Sequence, residues 1–133
     1  MIINKRPAGI MKIRTAWSEE ENRRYYAVND VVKALTGTTD SINYIKKMRN
    51  DDKALAESWT SIVKTFPLLT LRGIKQINCA NSEGLKKIVN SIPSPKAKEF
   101  KTKLSETDNS EQLFETLAKT AIIEVFSVKR AKL

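Results

Sequence analysis

The sequence predicts an α+β domain in which two β-hairpins pack with about five short helices, two of them forming a helix-turn-helix-like pair. Two apolar stripes argue for the helices: Val28, Val31, Val32, Leu35 and again Leu85, Ile88, Val89, Ile92 recur at i, i+3, i+4, i+7. β-Branched and aromatic runs on either side of polar or glycine-containing turns argue for the hairpins. A chain of 133 residues with 41% hydrophobic content is the size of one domain with one core.

Residues 1–10 read as a leader, with Pro7 and Gly9 discouraging regular structure. Met11–Trp17 and Arg23–Val28 form the first hairpin around the polar loop Ser18–Asn22, and Trp17, Tyr25 and Tyr26 suit a half-buried pleated surface. The first helix carries the Val28–Leu35 stripe, with Asn29 as its cap and Asp30 in its first turn; Gly37 supplies a left-handed stop. Thr38, Thr39, Asp40 and Ser41 connect to a second helix and end in its N-cap. Ile42, Ile45 and Met48 then recur every three residues and are expected to face the core. Asp52–Trp59 is a third short helix, with Leu55 and Trp59 on one face.

Lys64–Leu71 and Ile74–Cys79 form the second hairpin around Arg72-Gly73, with Pro67 marking an edge position or a bulge. Asn81-Ser82-Glu83 opens the helix of the second stripe, and Pro93 ends it. Ser94 caps the next helix with Pro95 at its first position, and Ala97, Phe100 and Leu104 make its buried face. Ser105–Ser110 is an acidic linker, Glu111–Phe126 an amphipathic helix, and residues 127–133 a basic tail. The expected organisation is therefore a leader (1–10), a domain (11–104), a linker with a C-terminal helix (105–126) and a tail (127–133). That last helix has too wide an apolar face to stay bare. It either covers the domain's core or pairs with another copy through Leu113, Phe114, Leu117, Ile122, Val125 and Phe126, and the acidic linker favours a homodimer.

Charge narrows the function. Twenty-four Lys and Arg stand against fifteen Asp and Glu, a net +9 with a pI near 9.7, which favours a polyanionic partner. The excess belongs to the middle of the chain: residues 33–103 hold fourteen basic and six acidic residues. The absence of histidine excludes histidine triads, histidine general bases and histidine-containing zinc sites. The single Cys79 has no histidine to activate it, and the acidic runs Glu19–Glu21 and Asp51-Asp52 lack spaced partner carboxylates. No enzyme and no cofactor is expected. There is no run of 18 apolar residues and no signal-peptide core near Met1, so no membrane association is expected and a cytoplasmic place is.

Taking about 100° per residue, Asn43, Lys46, Lys47 and Asn50 lie between about 100° and 200° away from Ile45, on the outward side of the second helix. The second helix of such a pair commonly enters the major groove, where Asn reads adenine edges and Lys reads guanine or phosphate. Thr38, Thr39 and Ser41 are placed to meet phosphates at the helix start, and Lys64, Arg72 and Lys75 to add backbone contacts from the second hairpin. The same pattern also fits the solvated face of an ordinary amphipathic helix.

The segment YYAVNDVVKALTGTTDSINYIKKMR, followed by a polar hairpin and CANSEGLKKIVNSIPSPKAKEFKTKL, resembles the BRO N-terminal domain of phage and prophage antirepressor-like proteins, DNA-damage-inducible D-like bacterial proteins and baculovirus BRO proteins. Tyr26, Val28, Asp30, Val31 and Leu35 carry the first motif; Asn81, Glu83, Gly84, Leu85, Ser91–Ala97 and Phe100 carry the second, more specific one. The resemblance covers roughly residues 12–104. It implies an α+β domain that binds DNA, usually ahead of a further domain that is not evident here, and it places the protein at the nucleoid or, for a virus of eukaryotes, in the host nucleus. Lys101-Thr102-Lys103 stands where many members have Arg-Trp. The function expected is a regulator that binds double-stranded DNA; the alternative is an antirepressor that captures a repressor or another host protein.

Overall fold

The structure, a computed structural model, describes residues 7–121 and 123–126, with side-chain surroundings from Lys12 to Ala121. The elements are β1 (Pro7–Met11), β2 (Thr15–Ser18), β3 (Arg23–Ala27), α1 (Val28–Thr36), α2 (Ser41–Asp51), α3 (Lys53–Ile62), β4 (Lys64–Thr70), β5 (Gly73–Ala80), α4 (Ser82–Asn90), a 3₁₀ turn (Pro95–Ala97), α5 (Lys98–Glu106), α6 (Ser110–Thr120) and β6 (Ile123–Phe126). β2, β3, β5 and β4, in that order, make an antiparallel four-stranded sheet of two hairpins, and β1 pairs with β6 in a separate two-stranded ribbon. The class is α+β, as expected.

Both apolar stripes lie in one core. Val28, Val31, Val32 and Leu35 of α1 and Leu85, Ile88, Val89 and Ile92 of the α4 region are buried together with Tyr26, Ile45, Met48, Leu55, Trp59, Ala97, Leu104 and Phe114. The helices stop where their capping chemistry says they should. Gly37 adopts φ 75° and returns its N–H to the Lys33 carbonyl. Asp52 accepts from the Leu55 N–H at the start of α3, and Ser94 caps the 3₁₀ turn with Pro95 behind it. Successive residues of β3 point to opposite faces. Tyr26 enters the main core, while Tyr25 and Ala27 join Cys79 in a smaller cluster, which Phe66, Leu68 and Ile77 of the second hairpin cover. The Tyr25 and Phe66 rings sit 4.9 Å apart.

Several expectations change. Pro7–Met11 is a strand rather than a loose leader, because β6 supplies a hydrogen-bonding partner from more than a hundred residues away. The C-terminal helix ends at Thr120, and Ile123–Phe126 is that strand; the β-branched Ile123 and Val125 suit it. Asn29 does not cap α1, whose N-cap is Ala27 without a side-chain bond, and Asp40 rather than Ser41 caps α2 by accepting from the Asn43 N–H. Ile42 is not a core residue: it is 73% exposed.

α6 packs on α4, and its apolar side faces the core. Phe114 is 1% exposed, Ala118 is buried, and Leu113 and Leu117 pack against the same cluster. Phe114 thus belongs to the chain's own core, with Leu113 and Leu117 packed partly against it, so of the two expected covers for this apolar face the structure shows the domain's core. Ile122 and the side chains of Val125 and Phe126 lie outside the described residues, as does the tail 127–133.

Gly84 has a packing reason to be glycine. A Cβ there would meet the Ile62 Cβ at 3.0 Å, the Ile62 carbonyl oxygen at 3.1 Å and the Ala80 Cβ at 3.3 Å. The first turn of α4 rests directly on the end of α3. Gly84→Ala is expected to destabilise the domain by about 1–3 kcal/mol through overpacking, measured by urea unfolding; an unchanged midpoint would show that α4 shifts freely.

Candidate nucleic-acid interface

α2 packs against α1 and α3 with Ile45 and Met48 buried, which leaves its opposite side in solvent. Asn43, Lys46, Lys47 and Asn50 are all exposed there, while Ile42 and Arg49, also exposed, lie on the flank nearer Ile45. Lys46 has no hydrogen-bond or ion-pair partner among the described residues, whereas Lys47 reaches Asp51 at 3.0 Å, one turn on. Both ends are mostly exposed, so that pair is weak and exchanges readily for another anion. The Asn43 side-chain amide donates to Asp40 at 2.7 Å. The Arg49 guanidinium lies over the Trp59 ring, 4.6 Å from its centroid, and so braces α2 against α3.

Thr38 and Thr39 sit in the connection before α2, half-buried and exposed respectively. Ser41 does not reach the surface: it is buried, and its hydroxyl accepts from the Asn29 Nδ2 at 2.8 Å. Lys96, from the 3₁₀ turn, was not anticipated at this surface. Its ammonium approaches to 3.6 Å of the point where a Cβ on Gly37 would stand, beside the turn that leads into α2. Sequence spacing places Lys96 only relative to its own helix, and the packing of the 3₁₀ turn on α1 decides where it goes.

The second hairpin carries the other three candidates. Lys64, at its base, is engaged: its ammonium pairs with Glu21, whose carboxyl is held below the usual range first by that bond and then by the Tyr25 hydroxyl. Arg72 and Lys75 are exposed near the tip. The turn there is well built. Thr70 Oγ1 accepts from the Arg72 N–H at 3.1 Å and donates to the Gly73 carbonyl at 2.7 Å, while Gly73 takes φ 99°, a conformation side-chain-bearing residues rarely adopt.

Consecutive residues in the first turn of α1 tie the two elements together. Asn29 holds the start of α2 through Ser41. Asp30, 1% exposed, holds Arg14, which donates its backbone N–H at 2.9 Å and its Nε at 2.8 Å to Oδ2, and its Nη2 at 2.8 Å to Oδ1. The remaining arm of that guanidinium, Nη1, donates to the Leu69 carbonyl at 2.8 Å, next to the hairpin tip. The Arg14 guanidinium is held more firmly protonated than usual, first by its bond to Asp30.

These motifs and their placement match a known domain: the N-terminal domain of the BRO family corresponds to residues 12–109. The chain belongs to the BRO family. No curated protein and no solved structure matches it. The BRO match runs from the residue before Ile13 to the N-cap of α6, and so takes in α1, α2, the second hairpin and their shared anchor, Asp30. Membership of the BRO family makes this a regulatory protein of phage or viral type and not a member of a known enzyme family. Among the described residues no group of three or more His, Cys, Asp or Glu is arranged to hold a metal ion. Burial pushes the Cys79 thiol up to about 12, so it stays protonated and unreactive at neutral pH. Among the described residues, no helix of this BRO chain is long and apolar enough to cross a membrane.

Proposed function

We propose that this BRO-family chain regulates by binding double-stranded DNA, with the outward ridge of α2 in the major groove. The observation that carries the reading is that this ridge is uncovered: Asn43, Lys46, Lys47 and Asn50 all stand in solvent on the side of α2 away from α1 and α3. Asn and Lys are residue types that meet adenine edges, guanine edges and phosphates. Thr38, Thr39 and Lys96 flank the start of the helix, where phosphates would pass, and Arg72 and Lys75 add positive charge from the hairpin. The net charge of +9 attracts any polyanion and brings the duplex to the surface at long range. Capture of a repressor through the C-terminal helix draws no support from α6, whose apolar side is spent on the core.

The test is a salt titration of duplex binding by fluorescence anisotropy, comparing wild type with Lys46→Ala/Lys47→Ala. If both lysines meet phosphate, the slope of log K against log salt becomes shallower by roughly 0.9 for each, about 1.8 in all, and binding weakens at low salt. Wild-type affinity that is the same at low and high salt removes the DNA reading.

A further inference from the structure

We infer that the tip of the β4–β5 hairpin is an apolar wedge that enters a DNA groove beside α2 and opens a base step. The inference deepens the DNA-binding reading and rests on it. Its origin is a solvent-facing cluster where a soluble domain normally places polar residues: Leu69 is 67% exposed, Leu71 76% and Ile74 65%. Leu69 and Ile74 stand directly opposite each other in the ladder, and Leu71 occupies the turn between them beside Arg72. One projecting end of a two-stranded ribbon thus carries three bare aliphatic side chains and a guanidinium.

Three features choose DNA as the occupant. From Ser58 to Ser82 the chain has no Asp or Glu, while Arg72 and Lys75 are exposed cations near the tip and Lys64 at the base is paired with Glu21, so the tip is complementary to a polyanion. The tip is already ordered by the two Thr70 hydroxyl bonds and by the Arg14 tether at Leu69, so little conformational freedom is lost on insertion. Aliphatic side chains flanked by arginine are what proteins insert between base steps to kink a duplex. A second copy of the chain is a poorer occupant. A two-fold contact through this tip sets Arg72 and Lys75 against their own counterparts, with no acid in the arm to offset them.

The experiment uses the full chain and a short duplex rich in T-A steps, the most easily opened, with 2-aminopurine at one step and a dye pair at the ends. Wild type is expected to raise 2-aminopurine fluorescence and shorten the end-to-end distance. Leu71→Ala/Ile74→Ala is expected to lose most of both signals while its salt slope stays unchanged, since no charge is removed. Arg72→Ala is expected to keep the fluorescence rise but bind with a slope shallower by roughly 0.9. Both apolar positions are in solvent, and an unchanged thermal melt of the double variant confirms that it folds. Unstacking by Leu71→Ala/Ile74→Ala equal to wild type overturns the wedge, as does wild-type binding without any fluorescence rise. A drop in sedimentation mass from dimer to monomer in that variant, with unstacking retained, overturns it in favour of a self-contact. A wild-type chain that binds no duplex at low salt overturns the α2 reading and the wedge together.

Discussion

Asp30→Ala is expected to destabilise the domain by about 3–5 kcal/mol, because it leaves a partly buried guanidinium without its carboxylate. Asp30 accepts three bonds from Arg14, and the fourth Arg14 bond fastens the Leu69 carbonyl. Loss of the carboxylate therefore also frees the second hairpin. Urea unfolding reads the first effect. Amide hydrogen exchange reads the second, as faster exchange in Leu68–Ile74 than in the α4 core. Replacing both partners, Arg14→Met with Asp30→Leu, is expected to recover a large part of the stability, since neither group is then left unpaired, but not the protection of the hairpin. A loss below about 1 kcal/mol for Asp30→Ala, the scale of a surface pair, would show that the anchor is incidental.

Phe114→Ala is the second large effect, with about 3–5 kcal/mol expected for truncating a fully buried ring. Phe114 touches two other aromatics, Tyr26 at 6.1 Å and Phe100 at 5.5 Å between centroids. The Tyr26 hydroxyl reaches further along the same helix and donates to Glu111 at 2.7 Å. Burial, then this bond to Glu111, raises the Tyr26 pKa well above its usual value, so the phenol remains a donor throughout the accessible pH range. The measurement is equilibrium unfolding at several protein concentrations. A concentration-independent loss of this size is the result expected of a helix that belongs to its own core. A loss that shrinks as protein concentration rises would return α6 to the role of a contact between copies.

The two stripes of α1 and α4 were legible in the sequence because burial on one side of a helix writes itself at a fixed period, and all eight residues are inside. The Ser94-Pro95 start and the Gly37 stop were legible because they are local backbone chemistry. The matched domain was legible from its two motifs. What local pattern does not carry is the partner. Pro7–Met11 and Ile123–Phe126 are strands because each finds the other, and nothing within either segment names its mate. The α6 stripe showed that a face had to be covered but not by what. Ile42 has the spacing of a core residue and is exposed because α1 and α3 set how α2 is rotated. The exposed ridge of α2 followed from its polar residues, whereas the burial of Ser41 and the approach of Lys96 are products of packing. The Arg14–Asp30–Leu69 chain spans fifty-five residues and had no local signal beyond an acid in a first turn.

Asn29 and Asp30 are neighbours on one rigid turn, and one fastens the start of α2 while the other fastens the end of the second hairpin. On the DNA-binding reading, the offset between the two along a duplex is a property of the protein and not of the target, as with the jaws of a fixed calliper. Chemical footprints on unrelated sequences would then show two protected stretches at one constant interval, and lengthening the hairpin would change that interval without changing which bases α2 prefers.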